Sequence, residues 1–298
     1  MTHSHYDLVK GILAGLGSGL NWSVTSLIAV SLLERIAPIK LSAIRSTVGG
    51  GLLILWAVAA GEGPDMLNAP LWAVLSLWIA ILIGMGIGDT CFFRSLDYLG
   101  LTLALSLSLV NPLITTVTGI VVFREPMTFA RFIGIVLVIC GLGLIIAGRH
   151  TGGGLAGRAD RRGIRLVLIA ALTWALSAIM VKPALEQLPV LAGTALRIPA
   201  AGLVLWLTPW TRGTLEDIRA IPRDQLWRLG AVCVMNVVGS ALFSVAIRSG
   251  GVAIGNALAS TAPLFAIPLE IGLLKHRPSR QTIAGAVLSV TGIGLLGF

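Results

Sequence analysis

The apolar pattern of this chain's first half returns, in register, in its second half, and nothing else in the sequence constrains the fold as strongly. Pro112, Gly134, Gly141 and Gly143 recur 151 residues later as Pro263, Gly285, Gly292 and Gly294. Leu113, Ile120, Val136 and Leu137 keep the same register as Leu264, Ile271, Val287 and Leu288. Gly100/Gly251 and Leu107/Leu258 extend it upstream. Each copy spans roughly 150 residues, so two structurally similar units account for the chain.

Composition says what surrounds those units. Of 298 residues, 56% are hydrophobic and 12% charged, with a mean hydropathy of +0.92. A water-soluble domain carries about 25% charged residues, so this chain has too little polar surface to cover itself in water. It reads as an all-α, multi-pass protein of the plasma (cell inner) membrane, with the lipid bilayer as its first partner. A helix needs about 20 apolar residues to cross the hydrocarbon, where backbone polar groups must bond within their own segment. On that ruler ten spans follow, at roughly 8–30, 39–60, 71–93, 99–122, 129–148, 164–182, 190–209, 225–247, 252–274 and 281–298. Residues 1–148 form the first five-helix repeat, 149–163 a Gly- and Arg-rich linker, and 164–298 the second repeat. Five is odd, so the second unit enters the membrane from the opposite side. The expected architecture is two inverted five-helix repeats around a central cavity.

The formal charge is +9, and the basic residues sit mainly between apolar runs, which argues for lipid headgroups over nucleic acid. Arg35, Lys40, Arg161, Arg162, Arg219, Arg223, Lys275 and Arg277 share one side of the expected topology, and the positive-inside rule then places both termini outside. Cys91, Cys140 and Cys233 lie far apart in apolar runs, with no metal or disulfide spacing. Gly152, Gly154 and Gly157 match G-x-G-x-x-G without the strand and helix that would give the pattern meaning. No cofactor is implied.

Polar residues inside apolar spans are the candidates for function. Asn21 and Trp22 in the first helix answer to Trp174 and Ser177 in the sixth, types that hydrogen-bond and stack on small polar solutes. Arg45 and Arg197 occupy matched places early in the second helix of each half. Asp89 is a charge too short to reach the headgroups, so it must be paired, neutral or in a wet cavity; Arg45 and Arg197 are both possible partners. Glu270, with Lys275 nearby, poses the same question. Asp89 and Glu270 are therefore candidates either for carrying a coupling proton or for structural ion pairs. Asn111, Asn236 and Asn256 add amides. Pro112 and Pro263, inside otherwise apolar runs, are expected to kink their helices and expose carbonyls near the midplane. Gly11/Gly15/Gly19, Gly84/Gly88 and Gly251/Gly255 carry the spacing of close helix packing.

The stretch Gly88-Asp89-Thr90-Cys91-Phe92-Phe93-Arg94-Ser95-Leu96, followed by Leu105 to Leu113 and Phe123-Arg124-Glu125-Pro126, resembles the EamA family of the drug/metabolite transporter superfamily. The resemblance covers the whole chain as two tandem repeats. It implies a ten-helix basket with a cavity lined by the first four helices of each half, export of metabolites such as amino acids, and both termini in the cytoplasm, against the charge count. His276 stands where the second half would repeat Glu125, which favours a structural job for that glutamate.

The expected function is secondary active transport, as an exporter, of a small polar metabolite such as an amino acid, by alternating access. A facilitative channel or a non-transporting scaffold is the alternative. An intramembrane enzyme is remote, because no G-x-S-x-G or H-E-x-x-H pattern appears.

Overall fold

The computed structural model describes residues 5–121, 127–150, 158–273 and 278–296. The first half comprises α1 (His5–Leu33), α2 (Pro38–Ala59), a short α3 (Gly63–Leu67), α4 (Leu71–Ile81), a π-helical stretch Leu82–Asp89 leading into α5 (Thr90–Leu99), α6 (Leu101–Leu107), α7 (Val110–Val121) and α8 (Phe129–His150). The second half comprises α9 (Arg158–Gln187), α10 (Val190–Trp206), a short α11 (Thr214–Arg219), α12 (Leu226–Ala259), α13 (Ala262–Leu273) and α14 (Arg280–Leu296). No strand occurs among the described residues. α8 and α9 reach into either end of the expected linker. Its glycines Gly152, Gly154 and Gly157 lie outside the described residues, as do Phe123-Arg124-Glu125-Pro126, Lys275, His276 and Arg277.

Among the described residues, seven helices are long and apolar enough to cross a bilayer, or eight if the bent pair Val190–Trp206 and Pro209–Arg219 is one span. The sequence ruler gave ten. The difference has a physical source: α10 and α14 have 17 residues each, and the apolar part of α8 is the shorter run Phe129–Ile145. Large side chains such as Leu55, Phe132, Leu172 and Leu203 point outward and are more than half exposed. The buried faces are rich in Ala, Ser and Gly, the inversion expected where lipid replaces water and helices pack through small residues. Trp72, Trp78, Trp206, Trp210 and Trp227 are all exposed. Cys233 is buried, whereas Cys140 is exposed on α8.

α12 runs over 34 residues but is not one straight rod. A Cβ on Gly255 would lie 2.7 Å from the backbone of Ala246, whereas nine residues of straight helix rise about 13.5 Å. The chain therefore folds back within α12, at the boundary between the expected eighth and ninth spans. In the first half the matching break is Gly100, whose φ of +71° ends α5 and begins α6, a conformation glycine adopts without steric penalty. α1 lies along the reversing segment through its glycine face: Cβ atoms on Gly11, Gly15 and Gly19 would come within 2.7 Å of Gly250, Leu258 and Thr261.

Contacts between the halves recur with the halves exchanged. α1 packs on α12, while α9 packs on α4, the π-helical stretch and α5. In the α2–α10 contact Gly50 meets Pro199 and Gly202 meets Thr47; Thr47/Pro199 and Gly50/Gly202 are matched pairs. In the α8–α14 contact Gly141 meets Gly285 and Gly292 meets Gly134, again two matched pairs. Gly88 touches Thr173 and Gly239 touches Asn21, repeating the pattern at the centre. Even the short helices exchange roles. Glu62, before α3, accepts the Ala192 N–H in the first turn of α10 at 2.7 Å, and Asp217 of α11 accepts from Lys40 in the first turn of α2 at 2.7 Å. The first of these bonds satisfies a helix-start donor that has no partner in its own helix.

The backbones of α2 and α10 approach so closely at Gly50 that a Cβ there would lie 2.8 Å from Pro199. Gly50→Ala should lower thermal stability in detergent, by about 1–3 kcal/mol. Gly51→Ala, whose Cβ meets nothing within 4 Å, should leave the melting temperature unchanged or raise it.

Candidate functional site

A cavity of about 120 Å³ lies between the halves. Trp22 and Ser26 of α1 face it, with Gly84, Met85 and Asp89 of the π-helical stretch and Phe92 of α5. The break between α6 and α7 adds Ser108 and Asn111. From the second half come Trp174 and Ser177 of α9, Arg197 of α10, and Asn236, Ser240, Phe243 and Asn256 of α12. Helix breaks, a widened helix and polar side chains thus converge on one space.

Asp89 and Arg45 form the electrostatic centre of the wall. Arg45 is fully buried and Asp89 nearly so, and the Arg45 Nη2 donates to Asp89 Oδ2. The Trp174 indole Nε1 donates to Asp89 Oδ1 at 2.7 Å, so both carboxylate oxygens are engaged. Asn236 holds the arginine from behind, donating its Nδ2 to the Arg45 carbonyl at 3.1 Å. The guanidinium carbon sits 5.2 Å from the Phe93 ring centre and 5.5 Å from Trp22, within cation–π range. Trp22 and Trp174, matched residues of the two halves, meet with ring centres 6.4 Å apart, and Phe92 stacks 5.2 Å from Trp174. Of the two partners open to Asp89 on sequence, Arg45 takes it, in the arrangement of a structural ion pair.

Arg197 is held differently. It is 5% exposed and lines the cavity, with its guanidinium 5.9 Å from the Phe243 ring. Its Nε, like that of Arg45, is buried without a hydrogen-bond partner, but among the described residues no acid reaches Arg197.

At the far wall, Asn111 and Asn256 exchange amide hydrogen bonds. Asn256 Nδ2 donates to Asn111 Oδ1 at 3.1 Å, and Asn111 Nδ2 to Asn256 Oδ1 at 3.4 Å. Thr115 Oγ1 accepts a further bond from Asn256 at 3.2 Å. This cluster joins the first turn of α7 to the last turn of α12 across the halves.

Several sequence expectations change here. Eight candidates line the cavity: Trp22, Asp89, Asn111, Trp174, Ser177, Arg197, Asn236 and Asn256. Asn21 does not; it points about 100° away from Trp22 around α1 and donates to the Met235 carbonyl at 3.0 Å. Arg45 stands behind the wall rather than in it. Pro112 and Pro263 do not kink intact helices. They sit in the first turns of α7 and α13, where the missing N–H has no intrahelical acceptor to lose. The breaks precede them, at Ser108–Leu109 and Ser260–Thr261. Glu270 lies on α13, and its side chain is outside the described residues. No signal in the sequence marked Met85, Ser240 or Phe243, which look like any residue of a membrane span. Nor did it announce the π-helical stretch, a feature that collects at functional sites.

Comparison with known proteins settles the family. The model of the EamA-like transporter family matches residues 9–147 and again 161–298. The chain belongs to the EamA-like transporter family. It is 24% identical over 226 residues to an "Uncharacterized transporter" of Archaeoglobus fulgidus, covering 76% of this chain and 77% of that one. Over 134 residues it is 31% identical to the "Uncharacterized transporter YwfM" of Bacillus subtilis, covering 44% of this chain and 43% of that protein. A solved crystal structure shares its fold with a TM-score of 0.70 at 17% identity, covering 96% of this chain and 95% of the other. This EamA protein is thus a multi-pass integral membrane protein of a transporter family.

Removing one partner of a buried ion pair leaves the other charge uncompensated, at a cost of about 3–5 kcal/mol. Asp89→Asn should therefore destabilise the solute-free protein strongly in thermal unfolding. Arg197→Met removes a charge that has no acid to lose, and should leave the melting temperature unchanged or higher.

Proposed function

We propose that this EamA protein is a secondary transporter of the plasma membrane that exports a small polar metabolite by alternating access. The observation that carries the reading is the exchange of roles across the halves, seen at Gly50/Pro199 with Thr47/Gly202 and at Gly141/Gly285 with Gly134/Gly292. Contacts of this reciprocal kind are what a two-fold axis generates. With five spans per half, counting the folded-back α12 as two and α10 with α14 as short spans, that axis lies in the membrane plane and the repeats are inverted. Two halves so related have two equivalent arrangements, one open to each side, around a site at their interface.

The breaks before Pro112 and Pro263 support the same reading. Each interrupts a helix beside the cavity, where Ser108 and Ser260 line the wall, and irregular backbone at membrane depth is tolerated where it lines such a space. The Asn111–Asn256–Thr115 cluster bridges the halves through weak, reversible bonds that can part as one half rocks on the other.

Flux in proteoliposomes tests the proposal. A carrier gives saturable uptake and trans-stimulated exchange of a preloaded solute. A flux that rises linearly with concentration and shows no exchange is that of a channel. No flux above empty vesicles across organic acids, amino acids and nucleobases would contradict transport. Asn111→Leu, which removes the bridging cluster, should lower the exchange rate severalfold and leave the protein monodisperse in detergent.

A further inference from the structure

The two matched arginines are unequal. Arg45 is answered by Asp89, whereas the residue 151 positions after Asp89 is Ser240. Ser240 lines the cavity and carries no charge to answer Arg197. Among the described residues, Arg197 and Asp89 are the charged side chains on the cavity wall. Asp89 has both oxygens occupied, by Arg45 and Trp174. With Arg45 behind it, the site holds two cations and one anion and has one positive charge to spare.

Among the described residues this buried guanidinium has no acid and no hydrogen-bonded partner, which is costly, and it faces the cavity between the halves. We propose that Arg197 is the anchor for the carboxylate of the transported solute, and that the cargo is an organic monoanion with an apolar body. This rests on the transporter reading above and narrows its cargo. Arginine's planar fork matches a carboxylate with two parallel bonds. A phosphate ester, about −2 near neutral pH, would need a second unanswered cation that the wall lacks. A zwitterionic amino acid would bring an ammonium to a site whose single acid is already taken. Beside its neutral serines and asparagines, the wall carries Ile81, Met85, Phe92, Leu105 and the Trp22/Trp174 pair, surfaces that suit an aliphatic or aromatic body.

Titration calorimetry of the purified full chain with two matched series tests this: 3-phenylpropanoate, phenylalanine and phenethylamine; then 4-methylpentanoate, leucine and 3-methylbutylamine. Each carboxylate should bind about tenfold or more tightly than its amino acid, with the amine weakest, as expected when one charge-assisted contact is gained or lost. Arg197→Gln should abolish the preference, Arg197→Lys should retain part of it, and Arg223→Gln, on an exposed turn, should leave it intact. Equal or tighter binding of the amino acids or amines overturns the proposal. So does failure of both carboxylates to bind, or carboxylate binding that survives in folded Arg197→Gln. Flux measurements separate this from the broader reading. Arg197-dependent binding without flux counts against transport alone. Saturable flux that ignores Arg197→Gln counts against the anion site alone.

Discussion

Hydrocarbon offers a buried cation nothing to bond with, and the structure turns on how that demand is met twice. Arg45 meets it inside the protein. Asp89, the Asn236 amide and two aromatic faces enclose it, and the resulting unit ties α2 to the π-helical stretch, α9 and α12. Breaking it would leave a charge that no neighbouring group can neutralise. The unit also fixes the cavity wall, because Trp174 reaches Asp89 from the second half and carries Trp22 and Phe92 with it. At Arg197 the same demand is left open toward the cavity. Arg45 is answered within the protein, and Arg197, on the proposal above, is answered by the solute.

That asymmetry is set in a scaffold that is otherwise reciprocal. Small residues at matched positions let the backbones of α2 and α10, and of α8 and α14, approach to contact. These contacts are duplicated with the halves exchanged, which fits the proposed alternating access. Asp89 against Ser240 is the departure from reciprocity, and it falls on the cavity wall.

Much of this was legible in the sequence, for identifiable reasons. The repeat and most spans follow from apolar run length, since hydrocarbon forces the backbone into helices. Trp22, Trp174, Asn236 and Arg197 stood out because polar groups in apolar runs are costly and therefore placed with purpose. Arg45 and Arg197 could not be told apart, because the difference lies in which one Asp89 reaches, a tertiary fact. Asn21 was named beside Trp22, but it points about 100° away around α1, to the Met235 carbonyl. Pro112 and Pro263 were read as kinks because a helix start buried in an apolar run has no polar cap to announce it. Phe243 and Met85 were invisible, since an apolar side chain looks the same whether it faces lipid or a cavity.

The central claim is that one cavity serves both sides of the membrane in turn. Thiol labelling tests it most directly. Ser177→Cys, on the cavity wall, is placed in a background lacking Cys91, Cys140 and Cys233, in vesicles of uniform orientation, and treated with a membrane-impermeant maleimide from either face. Alternating access predicts labelling from both faces, with solute raising the rate from one face as it lowers the rate from the other. Labelling from a single face only, at a rate that solute does not change, would contradict it.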